Sequence, residues 1–312
     1  MVVVAMGGHA FMQPGERGTY EETTRNARQI CQQLMTLVER GYNVVVTHGN
    51  GPQVGYLLEG TELTRHAVPP MPLDVLVAQT EGSLGYFLQR ALLNELRERN
   101  VRRYVVTVVT QVLVAHDDPA FVAPTKPVGP FLSQEEAKRR RDEFGWVMNE
   151  DSGRGWRRLV PSPKPVKVIQ RDMVREAART GHIVIAAGGG GIPVSKGASN
   201  DYVGVEAVID KDLTSSVLAT DVGADLLIIL TAVDGVYLRF GKPDAQRLGA
   251  VTLSECERHI QEGHFPRGSM GPKVEAIYGF LQRGGKRGLI TSPARLIDAL
   301  DGKAGTHFVG RI

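Results

Sequence analysis

The sequence predicts an α/β fold with a mainly parallel sheet, and three features lead there. Short continuous apolar runs at 2–6, 44–46, 183–187 and 226–230 read as strands buried on both faces, as parallel strands are. Helical patterns alternate with them, giving β-α-β units. Glycine turns close three of the runs, Gly7-Gly8, Gly49-Asn50-Gly51 and Gly188 to Gly191, at the strand ends where open α/β sheets place ligands.

A chain of 312 residues can form one large α/β unit or two lobes, with ample length for a buried core. Its formal charge of +3 is small, and its basic residues are spread among acidic ones, which argues against a nucleic-acid partner. Cys31 and Cys256 lie far apart in helical patterns and read as free thiols, for which a reducing cytoplasm is the simplest home. The apolar run 2–6 is too short for a signal peptide or a membrane span, and no other segment approaches spanning length.

In chain order, Gly7-Gly8-His9 ends the first strand, and Ile30, Leu34, Leu37 and Val38 recur at helical spacing in 23–40. The strand 44–46 leads into the stretch that organises the rest. Gly49 and Gly51 let backbone N–H groups converge there, and Pro52 suits a first helical turn whose remaining N–H groups face an anion. After the joint Pro69-Pro70-Met71-Pro72 an amphipathic helix spans 73–99. Gly82 and Gly85 within it each cost up to about 1 kcal/mol against alanine, which points to close packing, against a second subunit or within this one.

The β-branched run in 104–115 leaves the main sheet. Residues 117–167 then hold seven of the seventeen prolines around a charged helix near 134–143, the mark of an inserted subdomain with stiff stems. Its segment Gly153-Arg154-Gly155-Trp156-Arg157-Arg158 suits an anion-facing loop and equally a solvated loop with no ligand. Beyond it come a helix at 172–179, the strand 183–187 and its glycine turn, and a strand at 205–209 ending in Asp210-Lys211-Asp212. A helix closed by Gly223, the strand 226–230 and the polar groups Thr231, Asp234 and Tyr237 follow. Helices at 253–262 and 273–282, with Gly268-Ser269-Met270-Gly271-Pro272 between them, precede strands at 288–291 and 306–309.

Several chemistries are excluded. No Gly-Lys-Ser or Gly-Lys-Thr closes a glycine loop, so this is not a P-loop kinase. The glycines of 49–55 imitate a dinucleotide fingerprint, but no strand ending in an acid follows about twenty residues later. His259 and His264, five apart, offer no metal cluster, and no serine elbow or activated cysteine appears. What remains is Lys126, Lys211 and Lys273, each at a turn on the ligand edge. Phosphoryl transfer needs such charges, because its transition state spreads negative charge over the equatorial oxygens and requires no protein nucleophile.

Thr47-His48-Gly49-Asn50-Gly51-Pro52-Gln53-Val54-Gly55, Met71-Pro72-Leu73-Asp74, Pro124-Thr125-Lys126-Pro127-Val128-Gly129-Pro130, the stretch 204–212 and the stretch from Gly263-His264-Phe265 to Lys273 carry a resemblance. In these segments, and over nearly its whole length, the chain resembles the carbamate kinase family of the amino acid kinase superfamily. The resemblance implies a three-layer αβα sandwich with an open, mainly parallel central sheet. It implies one domain over 1–312, a protruding lid inserted at about 117–167, and a homodimer. The implied reaction is reversible phosphoryl transfer between ATP and carbamate, with Mg²⁺ bound mainly through the nucleotide phosphates. It usually runs toward ATP, consuming carbamoyl phosphate from arginine, agmatine or purine breakdown.

Residue by residue, the resemblance assigns Gly7, Gly8, Gly49, Asn50 and Gly51 to the acceptor and transferring phosphate, bordered by Gly190 and Gly191. Lys211 matches a lysine bridging donor phosphates, Lys273 one at the nucleotide phosphates, and Asp210 the carboxylate holding lysines in register. Thr231, Asp234, Tyr237, Met270 and Gly271 match the nucleotide pocket. Related acetylglutamate kinases carry a lysine just before the first glycine pair, where this chain has Ala5-Met6, and Lys126 on the lid would supply that charge. His9 stands where the family usually has Asn, and Ala232 where it often has Asp. Two alternatives remain beside this reading: a kinase for another small carboxylate or phosphate acceptor, and a non-catalytic nucleotide-binding sensor.

Overall fold

The structure, a computed structural model, describes residues 1–151, 153–266 and 269–310. An eight-stranded sheet contains, in chain order, β1 (Val2–Met6), β2 (Val44–His48), β3 (Val105–Thr107), β4 (Ile183–Ile185), β5 (Leu226–Leu230), β6 (Ala250–Thr252), β7 (Arg287–Thr291) and β8 (Thr306–Val309). Their spatial order is β6-β8-β7-β5-β1-β2-β4-β3. From β7 to β3 every neighbouring pair is parallel; β8 runs antiparallel to β7, and β6 parallel to β8.

Alternation along β1 explains the layers. Val2, Val4 and Met6 point into a core shared with α1 (Tyr20–Glu39) on one face. The helix α2 (Gly51–Leu63) follows β2, and α3 (Leu73–Glu98) joins that first core through Leu84, Leu88 and Leu92. Val3 and Ala5 point the other way, into a second core with α5 (Arg171–Arg179), α6 (Lys211–Val222), α7 (Leu253–Gln261) and α8 (Gly271–Gln282), numbered so that α4 is Gln134–Phe144. Helices on both faces make the three layers. In α3 a Cβ on Gly85 would stand 2.3 Å from Thr107 Cγ2, so this glycine lets the helix lie on β3 of its own subunit, while Gly82 faces open space.

The run in 104–115 divides. Its first part is β3, and Gln111–Val114 crosses into a four-stranded sheet with Pro165–Val168, Ile192–Lys196 and Tyr202–Gly204. The antiparallel pair Gln111–Val114 and Pro165–Val168 is the stem from which the proline-rich segment leaves and returns. Beyond the stem, Lys126–Leu132, Trp156–Val160 and Met148–Glu150 form a three-stranded sheet with α4, which starts on a Ser133–Glu136 capping box and ends at left-handed Gly145. This unit lies on α2, where a Cβ on Gly55 would come within 2.6 Å of Gly129 Cα.

The stretch 205–209 is not a strand. Ala207, Val208 and Ile209 are buried, which made the segment look like one, but its N–H groups find single partners: Val205 donates to Pro193 O at 3.2 Å and Val208 to Pro161 O at 3.0 Å. The strand in this region is Tyr202–Gly204. Cys31 and Cys256 are buried free thiols, both pushed above the ordinary thiol range by burial. No helix among the described residues is long and apolar enough to cross a membrane.

Candidate active site

Strand register gathers the glycine bends. Met6 pairs with both His48 and Leu230, so Gly7, Gly49 and Thr231 all emerge one residue past the same edge of the sheet. The bends touch: a Cβ on Gly49 would lie 3.0 Å from Gly8 N and 3.4 Å from Lys211 Cδ, and one on Gly8 3.6 Å from Pro52 Cδ. At Gly49 a side chain would crowd the Gly8 backbone, while at Gly8 the contact is an ordinary one. The first turn of α2, with Gly51 and Pro52, stands beside Gly8.

Two contacts, and one bond within the helix, fix the start of α6 against its neighbours. Thr214 Oγ1 donates to Gly190 O at 2.8 Å, Ser215 Oγ donates to Lys211 O at 2.6 Å, and Ser215 Oγ lies 2.6 Å from Thr47 Oγ1 in β2. Asp210 is the helix cap, accepting from Asp212 N at 2.9 Å and Leu213 N at 3.4 Å. Lys211 is thereby fixed beside Gly8 and Gly49.

The charges divide between two carboxylates. Lys126 Nζ reaches Asp210 Oδ2 at 3.0 Å from the proline-rich unit. Lys273 Nζ binds Asp212 Oδ2 at 2.9 Å, and Lys211 Nζ binds the other oxygen of the same carboxylate. Asp210, expected to hold lysines in register, engages Lys126, and Asp212, 3 % exposed and passed over in the sequence, engages Lys211 and Lys273. Burial pushes the Asp210 carboxyl up, but Lys126 and Lys211 outweigh it and hold it at about 2. Burial pulls the Lys211 ammonium below its ordinary value against the opposing pull of Asp212, and Lys273 adds to the lowering.

A cavity of about 870 Å³ opens at this edge, lined by Gly7, Gly8, Lys211 and Lys273 together with Thr231, Tyr237 and Met270. Phe240, Pro266 and Pro293 also line it and were not foreseen. Pro293 had a legible signal, since it follows β7, the parallel neighbour of β5. The other expected residues stand behind this wall. Asp234 accepts from Tyr237 Oη at 3.0 Å and pairs with Arg247 at 3.8 Å. Gly271 opens α8 and donates to Pro266 O at 3.0 Å. Asn50 turns its amide to Thr80 Oγ1 at 2.8 Å. Gly190 and Gly191, both at positive φ, pack on Ile209 and Val112, where a Cβ would come within 2.3 Å of an atom. The His9 side chain and Gly268 lie outside the described residues.

Beneath the bends lies a second unforeseen pair. His48 and Glu81 both flank Gly188, where a Cβ would meet His48 Nε2 at 2.5 Å and Glu81 Cγ at 3.2 Å. Burial lowers the His48 imidazole to about 4, against its contact with Gly49 O, and the Lys211 charge adds to the lowering. Burial drives the Glu81 carboxyl well above its ordinary value, although Thr110 N donates to Oε2 at 2.7 Å. With its imidazole held at about 4, His48 adds no charge beneath the bends near neutral pH, so the positive charge beside Gly8 and Gly49 is that of Lys211.

The family model described as "Amino acid kinase family" matches residues 1–292. The chain belongs to the amino acid kinase family. Similar proteins include the carbamate kinase of Thermococcus kodakarensis, 49 % identical over 99 % of this chain and 98 % of that protein. The carbamate kinase of Pyrococcus horikoshii is 48 % identical over 98 % of each. Among solved structures, the carbamate kinase of Giardia lamblia bound to AMP-PNP superposes with a TM-score of 0.92 at 40 % identity, covering 99 % of this chain and 98 % of that one. The α/β layering around a mostly parallel sheet is that of the amino acid kinase family.

Proposed function

We propose that the protein is an ATP-dependent carbamate kinase, catalysing ATP + carbamate = ADP + carbamoyl phosphate. The observation that carries this reading is the convergence of Lys211, Lys273 and the Gly7-Gly8 bend on one nucleotide-sized cavity, in a chain 49 % identical throughout to a protein of that name. In the direction of ATP formation, an oxygen of the ADP β-phosphate attacks phosphorus while its bond to the carbamate oxygen breaks. No protein nucleophile is needed. Lys211 and Lys273 neutralise the migrating group, the N–H of Gly8 is aimed at one of its oxygens while that of Gly49 is held by Met6 O at 3.0 Å, and Asp212 keeps both ammonium groups aimed. Thr231, Tyr237, Met270 and the neighbouring Asp234 serve the nucleoside. The lysine–carboxylate network argues against a mere nucleotide sensor, which has no need of charge aimed at a transferring group.

Residues 117–167 act in this reading as a lid. It delivers Lys126 to Asp210 and shields a labile acyl phosphate from water. Asp210 and Asp212 are both engaged by ammonium groups, so the donor set fits Mg²⁺ carried on nucleotide phosphate oxygens and water. When bound, the ion would supply charge neutralisation at the nucleotide phosphates. The same reading includes a homodimer in the cytoplasm that runs toward ATP in catabolism. The test is a coupled assay for ATP from ADP, carbamoyl phosphate and Mg²⁺, repeated with excess EDTA. ATP formation that EDTA abolishes is the expected result. No ATP formation, with ADP binding intact by calorimetry, would remove the reading in favour of a sensor.

A further inference from the structure

We propose that His259, Glu262 and His264 form a binding site for a divalent transition-metal ion such as Zn²⁺, separate from the nucleotide cavity. The spacing of five residues hid this site, and the end of α7 reveals it. Gly263 takes a left-handed φ of 72° and donates to Ile260 O at 3.1 Å, while His264 N donates to His259 O at 3.2 Å. This reversal brings the residue two past the helix cap beside one on its last turn. Both positions are histidines here, and Glu262 is the cap between them.

The three candidate ligand atoms lie within 4.8 Å of one another. Glu262 Oε2 stands 3.0 Å from His264 Nε2 and 3.6 Å from His259 Nδ1. A tetrahedral ion with bonds of roughly 2.0–2.1 Å separates its ligands by about 3.4 Å, which those two distances bracket. His259 is 9 % exposed, and its Nδ1 is buried with no hydrogen-bond partner among the described residues. That nitrogen faces the carboxylate from beyond hydrogen-bonding reach, so an ion between them satisfies it. Glu262 is exposed, which leaves room for water at the fourth position. Two imidazoles and one carboxylate favour Zn²⁺, Co²⁺, Ni²⁺ or Cu²⁺ over Mg²⁺, so the ion that travels with the nucleotide does not compete for the site.

The test uses the full chain, stripped with EDTA and gel-filtered. Co²⁺ is followed by its visible ligand-field bands, and Zn²⁺ by calorimetry and by displacement of Co²⁺. One ion per chain is expected, displaced by Zn²⁺ and unaffected by millimolar Mg²⁺. His264→Ala and Glu262→Gln should each weaken binding on the order of 10²-fold. Both side chains reach the surface, so unchanged circular dichroism melts are expected to show an intact fold; if His264→Ala fails to fold, Glu262→Gln carries the test. Absence of Co²⁺ bands at micromolar ion in the wild type would overturn the site, as would undiminished binding by a folded variant.

Discussion

Asp212 holds two ammonium groups from within the protein, and removing its charge exposes what it balances. Breaking a buried ion pair from one side costs about 3–5 kcal/mol, so Asp212→Asn should lower unfolding free energy by about 3 kcal/mol in urea melts at pH 7. An unchanged melt would show that the carboxylate does not carry the pair. Lys211→Ala should cut turnover on the order of 10²- to 10³-fold, the scale of one lost preorganised donor. His48 gives a pH signature. Its imidazole is held at about 4 in the folded chain against an ordinary 6.5, so the unfolded chain binds the extra proton first as pH falls. The associated stability is full above 6.5 and is lost progressively toward pH 4, amounting to about 3 kcal/mol. Glu81 works in the opposite sense: its raised carboxyl contributes most below its ordinary 4.5 and less as pH rises. Comparing wild type with His48→Gln in denaturant melts from pH 7 to 4.5 isolates the imidazole, and the variant should show the flatter acid limb. The lysines were legible in the sequence because each follows a turn on the ligand edge. Their partner was not, because Asp210 and Asp212 lie two apart and only the helix start decides which faces which ammonium.

Helix α3 separates two glycines that look alike in sequence. Gly85 lies against Thr107, and a methyl group there meets Cγ2 at 2.3 Å, so Gly85→Ala should destabilise by about 1–3 kcal/mol through overpacking. Gly82 meets nothing within 4 Å, so Gly82→Ala should stabilise by up to about 1 kcal/mol. Thermal melts of the two variants should move in opposite directions. Sedimentation tests the remaining question: if the open face of Gly82 is a subunit contact, its methyl group will weaken association instead. The parallel strands were readable because both faces are buried and their apolar runs are unbroken. The stretch 205–209 has the same apolar character but pairs with isolated carbonyls of Pro193 and Pro161, and composition does not report hydrogen-bond partners. The histidines at the end of α7 and just beyond it were missed for a related reason, since a helical count of five ignores the left-handed turn at Gly263 that folds the second back on the first.

Across the whole molecule, the ends of β1, β2 and β5 and the starts of α2, α6 and α8 gather at one edge of the sheet, which the inserted unit reaches through Lys126. That β-α units follow one another was plain in the sequence; that Met6 aligns with both His48 and Leu230, and that the inserted unit returns Lys126 to Asp210, is a matter of long-range register and docking. The arrangement separates binding from chemistry in a measurable way. Lys211 and Lys273 line the cavity, whereas Lys126 meets the site through Asp210 from outside that wall. A ligand that binds only the folded state at a hundred times its Kd adds about 2.7 kcal/mol of stability. Wild type should show this shift with ADP in thermal melts, and Lys273→Ala should lose most of it at the same nucleotide concentration. Lys126→Met should keep the full ADP shift yet lose turnover in the coupled assay if, as proposed, the inserted unit's lysine serves the chemical step through Asp210 and not the resting nucleotide. Equal loss of the ADP shift in both variants would place Lys126 among the nucleotide-binding groups and remove the lid's separate role in the chemical step.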